Sequence, residues 1–390
     1  MGKRVGMEVS IALAEAACQA DVDVVAAYPI TPQTHIVEHL SELVADGHLD
    51  AEFVPVESEH SAMSVCIGSS AAGARTFTST SSQGLALMNE VVYIASSLRL
   101  PIVMVVSNRS LSAPLSIWND HSDVMSVRDT GWIQVFAENG QEAYDHVFWA
   151  FRVGEDRRVL MPVMLHIDGF ILSHMVEALE MVDKELVKKY LPAFQPIHRL
   201  HPDNPVTMGA FALPELYTEA KKAQDEALKA SWPLILQGWE EWAQLTGRRY
   251  SPVETYRTED AEAVLVTMGS MGETASEAAD RMRARGEKVG VVKIRLWRPF
   301  PFEQVRKALG GARVAVVFDR CVSFGGPGGP VASEIRAALY GEAVRPKVVN
   351  FIGGLAGRDV SPQDFQNMVE EAVSRKEDRQ EAYRIYGVRG

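Results

Sequence analysis

From residue 7 to about residue 166, short apolar runs rich in β-branched residues recur at regular intervals, and amphipathic stretches fill the gaps. The strand-like runs fall at 21–28, 52–56, 75–80, 101–107 and 159–166, and the helical patterns at 11–20, 58–72, 83–98 and 141–153. Continuous apolar runs need cover on both faces, and a helix between successive strands is what a parallel crossover requires. The expected unit is a doubly wound α/β domain over 1–170.

The rhythm stops beyond residue 170. Segment 171–258 mixes prolines, aromatics and one charged helical stretch, 214–230, opened by Pro214, and it reads as a connector. Trp232, Trp239 and Trp242 lie near its end. Side chains of that size are usually buried, so the connector is expected to pack on a neighbour, with a partner subunit as the covering surface. Alternation resumes with strands at 263–267, 288–294, 313–318 and 347–351 and helices at 274–284, 302–309 and 331–339. A second α/β domain over 259–375 and a charged tail, 376–390, expected to be loose or partner-bound, complete the division.

Composition removes several classes of function. The 390 residues exceed one ordinary core, and 47% hydrophobic with 23% charged residues is the profile of a soluble globular chain. A net charge of −12 with no long basic run argues against nucleic acid. Cys18, Cys66 and Cys321 are far apart and form no CxxC, so no cysteine-held zinc or iron–sulfur cluster can be built from this chain alone. No metal site is therefore expected in it. The start lacks a signal-type apolar segment and no run is long enough to span a membrane, so the expected location is cytoplasmic.

In open α/β sheets, ligands bind beyond the carboxyl ends of the strands. Four turns occupy that position: 28–32 (Tyr-Pro-Ile-Thr-Pro), 57–60 (Glu-Ser-Glu-His), 79–84 (Ser-Thr-Ser-Ser-Gln-Gly) and 108–110 (Asn-Arg-Ser). Together they offer carboxylates, hydroxyls, a helix-opening Gln-Gly and the guanidinium of Arg109, which suits a small anion beside a polar cofactor. The competing reading is structural, because a Glu or Ser after a strand is commonly a helix cap.

The turn at 28–32, Ser58-Glu59, Ser82-Gln83-Gly84-Leu85, Arg109 and Asp120-His121-Ser122-Asp123 resemble the alpha subunit of pyruvate:ferredoxin oxidoreductase and its 2-oxoacid relatives. The likeness continues in order through Asp168-Gly169-Phe170, Ser173-His174, 205–209 and 266–270. It implies a pyrimidine-type thiamine-diphosphate-binding domain followed by a transketolase C-terminal-like α/β domain. By this resemblance Glu59 is the carboxylate that hydrogen-bonds the aminopyrimidine of the cofactor and promotes loss of its C2 proton, with Glu57 a solvated or structural neighbour. Thr31 and Arg109 match residues that bind the 2-oxoacid carboxylate. For Thr31, capping the helix ahead of Pro32 is the other role. Trp118, Asn119 and His121 follow as pocket candidates. His121 is expected to be a positioning or core histidine, and Trp118 either shapes the pocket or belongs to the core.

The glycine-rich stretch 323–330 follows a strand and precedes a helix, but it is neither a Walker motif nor GxGxxG, and it reads as a tight structural turn. Cys321 beside it is expected to be buried. No Gly-Asp-Gly occurs, the motif that holds magnesium and diphosphate in thiamine enzymes. The resemblance then implies a beta subunit carrying Mg2+, the diphosphate site and an iron–sulfur cluster. It also implies gamma and ferredoxin-like delta subunits, coenzyme A as co-substrate, and ferredoxin or another electron acceptor. The implied reaction is oxidative decarboxylation of a 2-oxoacid, pyruvate by default, with 2-oxoglutarate, branched-chain or aryl 2-oxoacids such as phenylglyoxylate as alternatives. A cluster-free transketolase-like enzyme and a non-catalytic scaffold are the remaining readings.

Overall fold

Residues alternate sides along the central strands, and that alternation explains the architecture. In Val103–Asn108, Val103 and Val105 join one apolar core while Met104 and Val106 join another; in Val163–Asp168, Val163, Leu165 and Ile167 face the first core and Met164 the second. Helices Val9–Gln19, Thr34–Ala45 and Gly140–Gly154 supply the first core, with Leu13, Ile36, Leu40 and Phe148. Helices Glu59–Ala72, Ser82–Leu87 and Asn89–Ser97 supply the other, with Met63, Leu85 and Val92. The sheet is doubly wound, as its sequence requires.

The computed structural model describes residues 3–374 and 382–389. Its first sheet runs, edge to edge, through Glu52–Pro55, Val24–Ala27, Thr76–Thr80, Val103–Asn108, Val163–Asp168 and Ile133–Phe136, all parallel. Strand order reverses between Val24–Ala27 and its neighbour Thr76–Thr80, so the switch point lies above their carboxyl ends. Leu296–Arg298 from the second domain adds an antiparallel edge beside Ile133–Phe136. Lys3–Glu8 and Val176–Met181 form a separate antiparallel pair.

The second sheet runs through Arg384–Ile385, Lys347–Ile352, Val314–Asp319, Ala263–Met268, Val289–Ile294 and Val253–Tyr256, the last antiparallel. Helices Met271–Ala284 and Pro362–Ser374 cover one face, and Phe302–Leu309 and Pro330–Leu339 the other. Val124, Met125 and Phe136 of the first domain belong to the second domain's core, which fixes the two together. The described part of the charged tail is not loose, since Arg384–Ile385 extends this sheet; 375–381 and 390 lie outside the described residues.

Two of the connector's tryptophans find their cover inside this chain and need no partner subunit for it. The connector helix Trp232–Thr246 packs on Gly140–Gly154, and Trp239 and Trp242 are buried within this chain. Trp239 stacks on Trp149 with ring centroids 4.9 Å apart, a contact of about 0.5–1.5 kcal/mol beyond the area it buries. Arg248 grips Asp145 with two hydrogen bonds of 2.6 and 2.9 Å and fixes the end of the segment. Among the described residues, no helix is long and apolar enough to cross a membrane.

Candidate active site

The four turns converge at the carboxyl ends of the parallel strands, around the switch point. Glu59 is the first residue of its helix, behind Ser58, whose hydroxyl accepts from Ser61 N at 3.2 Å and caps the turn. Glu59 is buried, and its carboxylate makes no hydrogen bond or ion pair among the described residues. Glu57, by contrast, is solvated and accepts from Ser61 Oγ at 2.6 Å, and this hydrogen bond lowers its pKa.

Gly84 explains how Glu59 is accommodated. A β-carbon at position 84 would lie 2.5 Å from Thr80 Oγ1 and 2.7 Å from Glu59 Oε1, so only glycine lets this helix close over the carboxylate. Gly84→Ala should therefore displace Glu59. We expect a fall in turnover of about 10²-fold, the usual cost of a misplacement near 1 Å, with a stability loss of about 1–3 kcal/mol from overpacking. Steady-state kinetics and a denaturant melt check both; near-native turnover would mean that Glu59 does not need this seat.

Asp123 ties the neighbouring turns together. Its carboxylate accepts from Ser82 N at 3.1 Å, Arg109 N at 2.9 Å, Asn108 Nδ2 at 3.1 Å and Val124 N at 2.7 Å. Burial pushes this carboxyl up to about 7 against those donors, which favour the charged form. The anchoring of Ser82 holds it at φ +44°, a strained value for a residue with a β-carbon, at the point where the strand turns into the Gly84 helix. Gln33 joins the crevice from the other side, donating to Tyr28 O at 2.8 Å and accepting from Ser79 Oγ at 2.9 Å.

Arg109 is buried, and burial lowers its pKa while Asp123 opposes the shift. Its Nε donates to Ser116 O and its Nη1 to the carbonyl of Thr31, each at 2.9 Å. Thr31 and Arg109 are thus in direct contact, and Nη2 has no partner among the described residues. Thr31 does not cap the following helix. A turn through Gln33 N to Ile30 O at 2.9 Å intervenes, the helix opens at Thr34, and Gln33 occupies the cap position.

Of the three pocket candidates, only Trp118 presents surface. It is half exposed, its ring centroid 4.7 Å from that of Phe170. Asn119 and His121 are buried in the join between domains. Asp168, at the end of its strand, accepts at Oδ1 from Arg320 Nη1 at 2.8 Å and lies 3.0 Å from His121 Nε2; at Oδ2 it accepts from Ser270 N and Oγ at 2.8 and 2.5 Å. Burial alone would raise its pKa, but Arg320 and His121 hold it far below the carboxylate range. Arg320 Nη2 also donates to Asn119 Oδ1 at 2.6 Å. The backbone N–H of His121 donates to Arg320 O at 2.9 Å, which ties the segment after Trp118 to the second domain.

The glycine-rich turn is structural. Asp319 accepts from Val331 N and Ala332 N at 2.8 and 3.1 Å, so the helix terminus after it is already filled by a carboxylate. Cys321 is buried.

Two family profiles match the chain. "Pyruvate flavodoxin/ferredoxin oxidoreductase, thiamine diP-bdg" covers residues 15–233, and "Pyruvate:ferredoxin oxidoreductase core domain II" covers residues 261–365. The chain belongs to the pyruvate:ferredoxin oxidoreductase family. As an alpha-type subunit of that family it is 47% identical to pyruvate synthase subunit PorA of Methanothermobacter thermautotrophicus, over 97% of this chain and 96% of the relative. It is 48% identical to the Thermotoga maritima PorA, over 95% of each. It is also 46% identical to ketoisovalerate oxidoreductase subunit VorA of Pyrococcus horikoshii, over 92% of this chain and 91% of the relative. Among solved structures, the 2-oxoglutarate:ferredoxin oxidoreductase of Magnetococcus marinus superposes with a TM-score of 0.74 at 18% identity, covering 96% of this chain and 66% of that one. A split-gene transketolase superposes at 0.55 and 14% identity, covering 95% and 99%. These two likenesses establish the α/β fold over nearly the whole chain, and the first family profile makes residues 15–233 its thiamine-diphosphate-binding domain.

The residues of the crevice fit the aminopyrimidine half of thiamine diphosphate. Among the described residues Glu59 offers a carboxyl group without a partner, and the buried hydroxyls Thr80 Oγ1 and Ser81 Oγ have none either. For the diphosphate half the chain lacks the Gly-Asp-Gly motif.

Proposed function

We propose that this alpha-type subunit serves the oxidative decarboxylation of pyruvate to acetyl-CoA and carbon dioxide, within a complex whose partner subunits hold Mg2+, the diphosphate and the iron–sulfur clusters. Two electrons leave per turnover, singly, through those clusters to ferredoxin or another acceptor, and the thiol of coenzyme A takes the acetyl group. The observation that carries the reading is the Glu59 carboxyl under Gly84, unpaired among the described residues and linked through Ser82 and Asp123 to Arg109 and Thr31. Bound thiamine diphosphate supplies a carbon nucleophile that stores the electrons released by decarboxylation.

This chain's residues then divide the remaining work. Glu59 holds and returns a proton at its carboxylate oxygen, in a site dry enough for the exchange to be felt across the cofactor ring. Arg109, with Nε and Nη1 occupied, directs Nη2 at the substrate carboxylate, and the Thr31 hydroxyl, on an exposed residue, completes the grip. Trp118 borders the side-chain end of the pocket. Leu115, Ile117, Trp118 and Leu87 are exposed apolar residues around this face, which supports closure by a beta chain.

A second reading is a branched-chain 2-oxoacid, because the ketoisovalerate relative is as similar, within two percentage points, as the two pyruvate synthase relatives. A panel of pyruvate, 3-methyl-2-oxobutanoate, 2-oxoglutarate and phenylglyoxylate, tested on the purified complex with coenzyme A and a redox dye, decides between them. Pyruvate should give the highest kcat/KM and require thiamine diphosphate. Preference for the branched substrate would move the assignment to the second reading, and no reduction by any of the four would remove both.

A further inference from the structure

Beside the Thr31 turn, on the far side of Phe170 from Trp118, three ligating side chains meet from three separate segments. Glu8 ends the strand Lys3–Glu8, His35 stands in the first turn of helix Thr34–Ala45, and His174 lies in the loop before strand Val176–Met181. His35 Nδ1 is 2.7 Å from Glu8 Oε1, and the His35 and His174 ring centroids are 4.6 Å apart. One ligating atom from each of the three lies within 4.8 Å of the others, and all three residues are partly exposed.

As a set of protein groups alone, this arrangement is poorly matched. Two imidazole rings share a single carboxylate, Glu8, in this cluster. Burial first, and the neighbouring His35 second, lower the His174 pKa, while Glu8 opposes the shift. Ser173 Oγ lies 2.7 Å from His174 Nδ1 while accepting from Phe170 N at 2.9 Å. That contact orients the ring and leaves Nε2 as the nitrogen for an ion, the arrangement seen when a ligand histidine is held through its other nitrogen.

We propose that Glu8, His35 and His174 form a binding site for a divalent transition-metal ion, zinc foremost, with two imidazole ligands, one carboxylate ligand and a fourth position open to water. Two imidazoles and a carboxylate are the donor set of zinc sites with an open position. Tetrahedral bonds of about 2.0–2.1 Å place ligand atoms roughly 3.3 Å apart. The close His35–Glu8 pair therefore opens and the wider separations contract on binding, by rotation of partly exposed side chains. The carboxylate cluster Glu138, Glu142 and Glu254 is already engaged by Lys293 and Arg295, at 2.7 Å from Glu138, 2.5 Å from Glu142 and 2.7 Å from Glu254. An ion at Glu8–His35–His174 would staple the segment that follows the Thr31 turn to the loop carrying Phe170, whose ring centroid is 4.7 Å from that of His174.

The test is a zinc count on the intact complex. Wild-type, His35→Gln and His174→Gln complexes are dialysed against a weak chelator, equilibrated with Zn2+, desalted and assayed by atomic mass spectrometry. Wild type should retain one zinc per alpha-type chain more than either variant. Zinc affinity in the variants should fall by more than the ~10–100-fold that losing a mere hydrogen-bond partner of a ligand costs. Equal zinc content in wild type and variants would overturn the proposal. Should a histidine variant fail to assemble, Glu8→Gln, which keeps the side-chain shape and removes the charge, gives the same two readings.

Discussion

Replacing Glu59 with Gln lowers turnover by about 10³-fold or more while the complex still assembles. The size follows from the role: a positioned proton-transfer group contributes typically 10²–10⁴-fold, and an amide neither holds nor returns the proton. The preserved assembly follows from the surroundings. Glu59 has no protein partner to lose among the described residues, glutamine has the same length, and the space beneath Gly84 is unchanged. Steady-state rates beside a size-exclusion profile check the two halves separately. Full activity in E59Q would sink the assignment, whereas loss of assembly would show that the carboxylate has a structural partner in the complex.

Arg109→Leu has the next largest effect, expressed mainly in kcat/KM. Two charge-assisted hydrogen bonds at about 1.5–3 kcal/mol each correspond to a loss of roughly 10²–10⁴-fold. Part of that loss arises inside the chain, because the guanidinium also holds the Thr31 and Ser116 carbonyls, so the substrate turn loosens with it. Arg109→Lys should recover little, since a point charge cannot bond both carbonyls and the substrate from one planar fork. The diagnostic is the split: Arg109 variants raise KM for the 2-oxoacid and leave the affinity for thiamine diphosphate near wild type. A variant that weakened cofactor binding and spared KM would place Arg109 on the other half of the site.

Much of this architecture is legible in the sequence because its signals are local. Runs such as 103–106 declare a buried strand by composition, and Pro214 announces the helix Pro214–Ala230 at its first residue. The elements that escaped notice owe their existence to distant partners. Leu296–Arg298 is a strand only because it pairs with Ile133–Phe136, itself four residues long, and Lys3–Glu8 exists through Val176–Met181. Of the connector's three tryptophans, Trp239 and Trp242 are buried as read and Trp232 only partly, and their cover includes helix Gly140–Gly154, which no spacing rule identifies.

The site shows the same division. Glu59, Thr31 and Arg109 sit in turns after apolar runs, where an open α/β sheet presents its ligands, and the family resemblance supplied their roles. The residues around them, Asp123 and Asp168, appear in the quoted motifs but without a role. Asp123 works through four donors from three segments, and Asp168 meets Arg320 across 152 positions of sequence. A charged residue closing an apolar strand run, as Asp168 does, was the available signal. Its partner became apparent only once the two sheets were placed together.

The most direct measurement is exchange of the thiamine C2 proton with deuterium in the assembled complex, quenched in acid and read by proton NMR, in wild type and in Glu59→Gln. If Glu59 is the proton-handling carboxylate, exchange is fast in wild type and at least about 10²-fold slower in the variant, with cofactor occupancy unchanged. Equal exchange rates in the two complexes would contradict the account and leave Glu59 as a wall of the pocket.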